Sequence, residues 1–259
     1  MKAVWPEGYG REIFAELDST NAQAARMAET LSGPTWILAL NQTTSRGRRG
    51  RAWAFPKGNF AATLLMHPEE AAAQAALRSF VASLALHDAC VAVTGRAEGF
   101  ALKWPNDVLL NGGKLAGILL ESSGTGGQLS HLAVGIGVNL LAAPHAGEVE
   151  DGALRPVALL SETGIDIAPE AFLTFLACAY AAREAVFRAQ GFVPIRRAWL
   201  DRAARLGTVI TARTSCDVMT GTFETVDEAG NLVLSTAKAR HAIPAADVFF
   251  ERGANASGD

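Results

Sequence analysis

The chain has 259 residues, 49% of them hydrophobic and 19% charged, with 25 glycines and 10 prolines, which suits a packed globular core and excludes a mainly disordered chain. Lysine and arginine total 23 against 26 aspartates and glutamates, and the net charge of −3 argues against a surface built throughout for nucleic acid. Taken in chain order, the N-terminal MKAVWPEGYGREIF has neither a continuous apolar stretch nor a small-residue cleavage site, so a cytoplasmic protein is expected. Ser19 and Thr20 precede an alanine-rich run, an N-cap signal that predicts a helix from Thr20 to Leu31. After Gly33-Pro34, Trp36 to Leu40 has strand length, and a polar loop rich in Arg, Gly and Thr starts at Asn41. Phe60 to Met66 resumes a strand; like the other apolar runs it is far below the roughly 20 residues of a membrane span, so no membrane partner is expected.

Ala71 to Val93 reads as one long helix whose core face is Leu77, Phe80, Leu84, His87 and Val91. Short apolar runs then follow at Ala101 to Trp104, Val108 to Leu110, Leu115 to Leu120 and His131 to Leu140. Asn111-Gly112-Gly113 between the second and third predicts a hairpin, and successive hairpins imply a largely antiparallel sheet. Helices are expected from Pro169 to Ala189 and from Pro194 to Arg205. From Thr208 to Phe250 there is no helical period, only short Val, Ile, Thr and Phe-rich runs, which predicts a small all-β unit. The expected organisation is a first domain over 1–206, a second over 207–252 and a polar tail over 253–259. Cys90, Cys178 and Cys216 are odd in number and widely spaced, and read as buried, reduced thiols.

The chain has no HExxH, CxxC, GxSxG or full GxGxxG, and Asn111 to Leu115 lacks the glycine and hydroxyl of a P-loop. A metalloprotease, a dinucleotide enzyme and a P-loop ATPase are thereby disfavoured. Between Leu31 and Pro68 the charged side chains are Arg46, Arg48, Arg49, Arg51 and Lys57, all positive. Arginines separated by glycines, in Ser45-Arg46-Gly47-Arg48-Arg49-Gly50-Arg51 before Trp53, leave a backbone that folds around a polyphosphate and guanidinium groups that match its oxygens. A solvated basic loop or a nucleic-acid-binding module fits the same residues. Downstream, Lys103-Trp104-Pro105-Asn106-Asp107 and Lys114-Leu115-Ala116-Gly117-Ile118-Leu119 place Asp107 and Lys114 on either side of a hairpin turn, and Gly117 within a strand lets a ligand approach the backbone.

In this order, with Ser19-Thr20-Asn21 before them, Gln42 leading into the arginine loop, and Gly135-Ile136-Gly137-Val138-Asn139 after them, these motifs resemble the biotin protein ligases over most of the chain. The resemblance implies an α+β fold, a mixed, largely antiparallel sheet with helices on one side as in class II aminoacyl-tRNA synthetases, followed by an SH3-like β-barrel. It implies an ATP- and magnesium-dependent ligase that forms biotinyl-5′-AMP, releases pyrophosphate and passes biotin to a lysine of a biotin carboxyl carrier protein of acetyl-CoA carboxylase or a related carboxylase. No permanently bound metal is implied.

By the same resemblance Arg48 is the principal catalytic arginine and Lys114 bridges the biotin carboxylate and the phosphate, while Asp107 positions either magnesium or the acceptor lysine. Ser19, Thr20, Gln42 and the backbone at Arg46 contact the ureido end, and Gly117, Leu119, Gly135 and Val138 form floor and walls. Arg48, Arg49, Arg51, Trp53 and Asn139 attend ATP or the adenylate, although a helix cap at Ser19 and Thr20, a loop anchor at Trp53 and a turn at Asn139 are equally ordinary roles. Two departures stand out: Ser45 replaces the family's usual glycine, and Ala143 to Pro156 offers no aromatic side chain for adenine. Only 18 residues precede Ser19, fewer than a winged helix needs, so the resemblance is to the monofunctional type with no sequence-specific DNA partner. Attachment of lipoate or octanoate is the nearest alternative.

Overall fold

The computed structural model describes residues 3–51, 53–125, 128–145, 153–214 and 216–250, which leaves the expected tail outside the described residues. Seven strands form the larger sheet: β1 (Gly10–Phe14), β2 (Thr35–Ala39), β3 (Phe60–Met66), β4 (Phe100–Lys103), β5 (Asp107–Leu110), β6 (Gly113–Thr125) and β7 (Gln128–Val138). They lie in the order β1-β2-β3-β7-β6-β5-β4, with β1 parallel to β2 and the remaining neighbours antiparallel. The hairpin between β5 and β6 turns on Asn111 and Gly112, both with positive φ as a tight Asn-Gly turn requires.

Strand alternation decides which face goes where. Trp36, Leu38, Ala62, Leu64, Val134, Ile136, Ala116 and Ile118 face the main core, together with α3 (Arg78–Thr94), α5 (Pro169–Gln190) and α6 (Phe192–Leu200). The long helices therefore share one side of the sheet. Ile37, Leu65 and Ala133 point the other way, where Ala24 of α1 (Thr20–Met27) packs on them. This second face is only partly covered by α1, and the uncovered part is the cleft described below.

The expected helix over Ala71 to Val93 is two helices, α2 (Ala72–Ala76) and α3, separated at Leu77. Nor does α3 have a single core face: Val81, Ala82, Leu84, Ala85, Leu86 and Ala89 are all buried, because the helix is sandwiched between the sheet and α5. Ala72–Thr94 is long and apolar enough to cross a membrane, and 67% of its 18-residue apolar window is buried within the protein itself. Arg78 at its start is buried against Glu184 of α5, 2.7 Å away, so these two charges enter the core as a pair. Helix α1 stops at Met27, where Thr30 and Leu31 turn back to the Met27 carbonyl, and α6 ends at Leu200 rather than Arg205. Strand β1 and the short α4 (Leu159–Thr163) carried no sequence signal.

The second sheet comprises β8 (Val209–Arg213), β9 (Val218–Val226), β10 (Leu232–Ser235), β11 (Arg240–Ile243) and β12 (Asp247–Phe250), in the antiparallel order β11-β10-β9-β8-β12. It is docked on the first: Trp104 donates its indole N–H to the Gly230 carbonyl at 3.0 Å. All three cysteines are free, but only Cys90 is buried, Cys178 being half-buried and Cys216 exposed.

Candidate active site

The cleft has a volume of about 570 Å³ and lies on the face of the sheet that α1 leaves open. Its floor is set by register: Gly117 pairs with Gly137, and Leu119 with Gly135. Val108 faces Ala116 while Leu109 faces Lys114, so Leu115 is an extra residue in β6, a β-bulge. Leu115 and Ala116 both turn into the core, and the alternation restarts with Lys114 on the cleft side. Without that bulge Lys114 would share the face of Ala116 and point inward.

Lys114 Nζ lies 2.8 Å from Asp107 Oδ1, and Lys103 Nζ lies 3.6 Å from Asp107 Oδ2. Burial alone would raise the Asp107 pKa, but Lys114 and Lys103 outweigh it and hold the carboxyl below its usual range. Burial lowers the pKa of Lys103, partly offset by Asp107. The three groups form a compact cluster with one excess positive charge.

At the other end of the cleft, Ser19 caps α1 by accepting the Ala22 N–H at 3.4 Å. Gln42 accepts the Thr20 N–H at 2.7 Å and donates to Ser45 Oγ at 3.1 Å. Ser45 is not among the residues with positive φ, so serine is accommodated without backbone strain and its hydroxyl adds a bond to Gln42. Behind them Asn21 donates to Glu121 at 2.7 Å, and Thr63 contacts both Asn21 and Thr20.

The arginine loop folds over the cleft. Arg49 and Gly50 adopt left-handed backbone, with φ of 57° and 72°, which closes a tight turn from Arg48. Arg48 points inward, with its guanidinium 3.4 Å from Asn106 Oδ1 and 3.5 Å from the Ala246 carbonyl, and burial lowers its pKa. Arg49 and Arg51 pair with Asp247 of β12 at 2.8 and 2.7 Å, and Arg46 pairs with Glu121 at 3.2 Å. Trp53 lies on the glycine floor: a Cβ on Gly137 would stand 3.0 Å from Trp53 Nε1, and one on Gly117 3.3 Å from the ring.

Of the residues singled out from sequence, Ser19, Thr20, Gln42, Arg46, Arg48, Arg51, Trp53, Asp107, Lys114, Gly117, Leu119, Gly135 and Asn139 all line this one cleft. Val138 does not. It is fully buried in the main core, because alternation along β7 turns it away from the face of Gly137. Arg49 reaches Asp247 rather than the cleft wall, and the space left by Gly135 is filled by the Asn21 amide.

Sequence reading missed Asn106, Asp247, Phe249 and Phe250 as lining residues. Asn106 stood within a quoted motif, whereas nothing in the chain's pattern linked β12 to a loop some 198 residues earlier. Part of the segment over 143–156 lies outside the described residues. Beside it, buried Asn139 donates Nδ2 to the Val157 carbonyl at 3.1 Å, and its Oδ1 has no hydrogen-bond partner among the described residues. Asp107 is a poor cation ligand, since both its oxygens face lysines, and no group of three or more His, Cys, Asp or Glu gathers among the described residues.

The biotin/lipoate A/B protein ligase family matches residues 13–139, and the biotin protein ligase C terminal domain, the SH3-like unit, matches residues 206–251. A biotin–[acetyl-CoA-carboxylase] ligase of Paracoccus denitrificans is 55% identical over 92% of this chain and 99% of its own length. The bifunctional ligase/repressor BirA of Bacillus subtilis is 28% identical over 91% of this chain and 73% of its own. Among solved structures, the biotin protein ligase from Aquifex aeolicus in complex with biotin and ATP superposes with a TM-score of 0.78 at 26% identity, covering 92% of this chain and 97% of that one. A match over residues 13–139, a matched second sheet and a relative aligned along nearly its whole length lead to one conclusion: the chain belongs to the biotin/lipoate A/B protein ligase family.

Proposed function

We propose that the protein is a biotin–protein ligase that forms biotinyl-5′-AMP from biotin and ATP and then biotinylates a lysine of a carrier protein of acetyl-CoA carboxylase. The carrying observation is that one cleft holds a polar end, built by Ser19, Thr20 and Gln42, and a cationic end, built by Lys114, Lys103 and Arg48. Biotin has the complementary ends, a cyclic urea and a carboxylate, separated by an apolar body that fits the floor at Gly117 and Leu119. The likeness to the Paracoccus and Aquifex proteins supports the same substrates.

In the first step a biotin carboxylate oxygen attacks the α-phosphorus of ATP, forming an O–P bond as the bond to pyrophosphate breaks. Negative charge grows on the phosphoryl oxygens, and preorganised Arg48 and Lys114 stabilise it in a partly closed site. Arg51 and Arg49 attend the nucleotide's phosphates, exchanging Asp247 for them. Asn139 Oδ1, buried and unpartnered, suits the exocyclic amine of adenine. In the second step the carrier lysine's amine displaces AMP from the acyl carbon and forms an amide. Asp107, held ionised by two lysines, is a positioning residue for Lys114 rather than a proton acceptor. Magnesium enters with the ATP phosphates as part of the substrate, because the donor set around Asp107 does not suit a resident cation.

The nucleotide substrate fits a cytoplasmic location. A nucleic-acid module is disfavoured because it gives no role to the enclosed polar end at Ser19, Thr20 and Gln42 or to the glycine floor at Gly117 and Gly137. The test is ATP–pyrophosphate exchange with biotin, lipoate and octanoate offered separately. Exchange with biotin alone is expected, and exchange that prefers lipoate or octanoate overturns the reading.

A further inference from the structure

Resting on that reading of the polar end, we propose that Ser45 is a specificity-determining residue, whose hydroxyl donates a hydrogen bond to the carbonyl oxygen of the ligand's cyclic head. Direction is fixed from Gln42 outward. The Thr20 backbone N–H can only donate, so the atom it meets at 2.7 Å is the Gln42 amide oxygen. That orients the amide and places Nε2 against Ser45 Oγ at 3.1 Å. An amide nitrogen only donates, so Ser45 receives this hydrogen on a lone pair and keeps its own proton. No group among the described residues accepts a hydrogen bond from that hydroxyl. Ser45 lines the cleft together with Ser19, Thr20 and Gln42, and what it has left to offer there is a donor.

The hydroxyl is also held in place. Thr43 and Thr44 donate their backbone N–H groups to the Leu17 and Asp18 carbonyls at 3.0 and 2.9 Å, which straps the start of the loop beside the entry to α1. The Ser45 carbonyl accepts the Trp53 N–H at 3.2 Å, so the far end of the loop returns to the same residue. Ser45 is therefore fixed from both sides before a ligand arrives, and a bond to it costs little further ordering. A cyclic urea meets the donor with its carbonyl oxygen, whereas a dithiolane or an alkyl end leaves it desolvated and unpaired.

The full chain is assayed by steady-state ATP–pyrophosphate exchange with biotin and with its thiourea analogue, whose sulfur is a far weaker acceptor than oxygen. Ser45→Ala and Ser45→Gly are each expected to raise KM for biotin about fivefold and to move KM for the thiourea less than about twofold. The two variants differ in bulk and share the loss of the hydroxyl, so equal effects in both identify the bond rather than the space. If Ser45 only ordered the loop through Gln42, KM would rise alike for both ligands, and that result overturns the proposal. A fall in KM for the thiourea with KM for biotin unchanged overturns it too, since the side chain would then only fill room near the head. A wild type that exchanges with neither ligand removes the reading of the cleft and the proposal with it. A wild type that uses biotin, with either contrary pattern in the variants, removes the proposal alone.

Discussion

Single side chains set the chemistry at the cationic end. Arg48→Ala and Lys114→Ala are each expected to cut adenylate formation at least about a hundredfold in ATP–pyrophosphate exchange, since each removes a charge aimed at the phosphoryl oxygens. Ser45→Gly is expected to change KM for biotin less than about tenfold and to leave kcat intact, as measured by steady-state exchange. The reason is that Gln42 stays oriented by the Thr20 N–H, which is independent of Ser45. A larger gain in affinity would show that Ser45 strains the loop. At this scale the sequence was most legible where a motif names the residue type, as for Arg48 and Lys114. It was least legible for Thr63, an ordinary hydroxyl in an apolar strand that joins the polar end only through two partners more than 40 positions earlier.

Elements decide where those side chains point. The strands and long helices could be read from apolar runs and turn residues, but the face of Lys114 could not, because it depends on a bulge at Leu115 that no local pattern announces. Val138 went astray for the complementary reason: its motif is contiguous, and a strand sends alternate residues to opposite sides. The arginine loop is tied to elements remote from it: Asp247 of β12 gathers two of its arginines, and Trp53 anchors its end on the glycine floor. Asp247→Asn is accordingly expected to speed amide hydrogen exchange over residues 43–57 without changing exchange in α5.

The pH dependence follows with a definite sign. Burial would raise the Asp247 pKa, but Arg51, Arg49 and Arg48 hold it below the usual carboxylate value, so the unfolded chain binds the proton more tightly. The latch's contribution is thus present above the ordinary carboxylate range of about 4 and lost as pH falls through the depressed folded value. Thermal unfolding of wild type and Asp247→Asn should differ by a constant amount near neutrality and converge in acid. A gap that widens on acidification would contradict the assignment.

At the scale of the whole molecule, the two sheets share one hydrophobic cluster, which runs from Phe80 and Trp199 into Phe223, Val226 and Leu232. Gly230, at a φ of 83°, lies against Leu77 and Phe80 while its carbonyl receives the Trp104 indole N–H. Gly230→Ala is expected to cost about 1–3 kcal/mol from backbone strain and crowding, seen as a lower midpoint in thermal unfolding. The sequence showed that a β-rich unit follows α6, but not that its last strand completes the cleft, because such a contact depends on how two separately patterned pieces dock. That arrangement also has a consequence in time. Arg49 and its counter-charge Asp247 are 198 positions apart, and a ribosome adding about 5–20 residues per second needs about 10–40 s to cover that distance. During synthesis the floor and the arginine loop exist well before β12 does, so the nascent chain carries an incomplete cleft until that strand has emerged and docked.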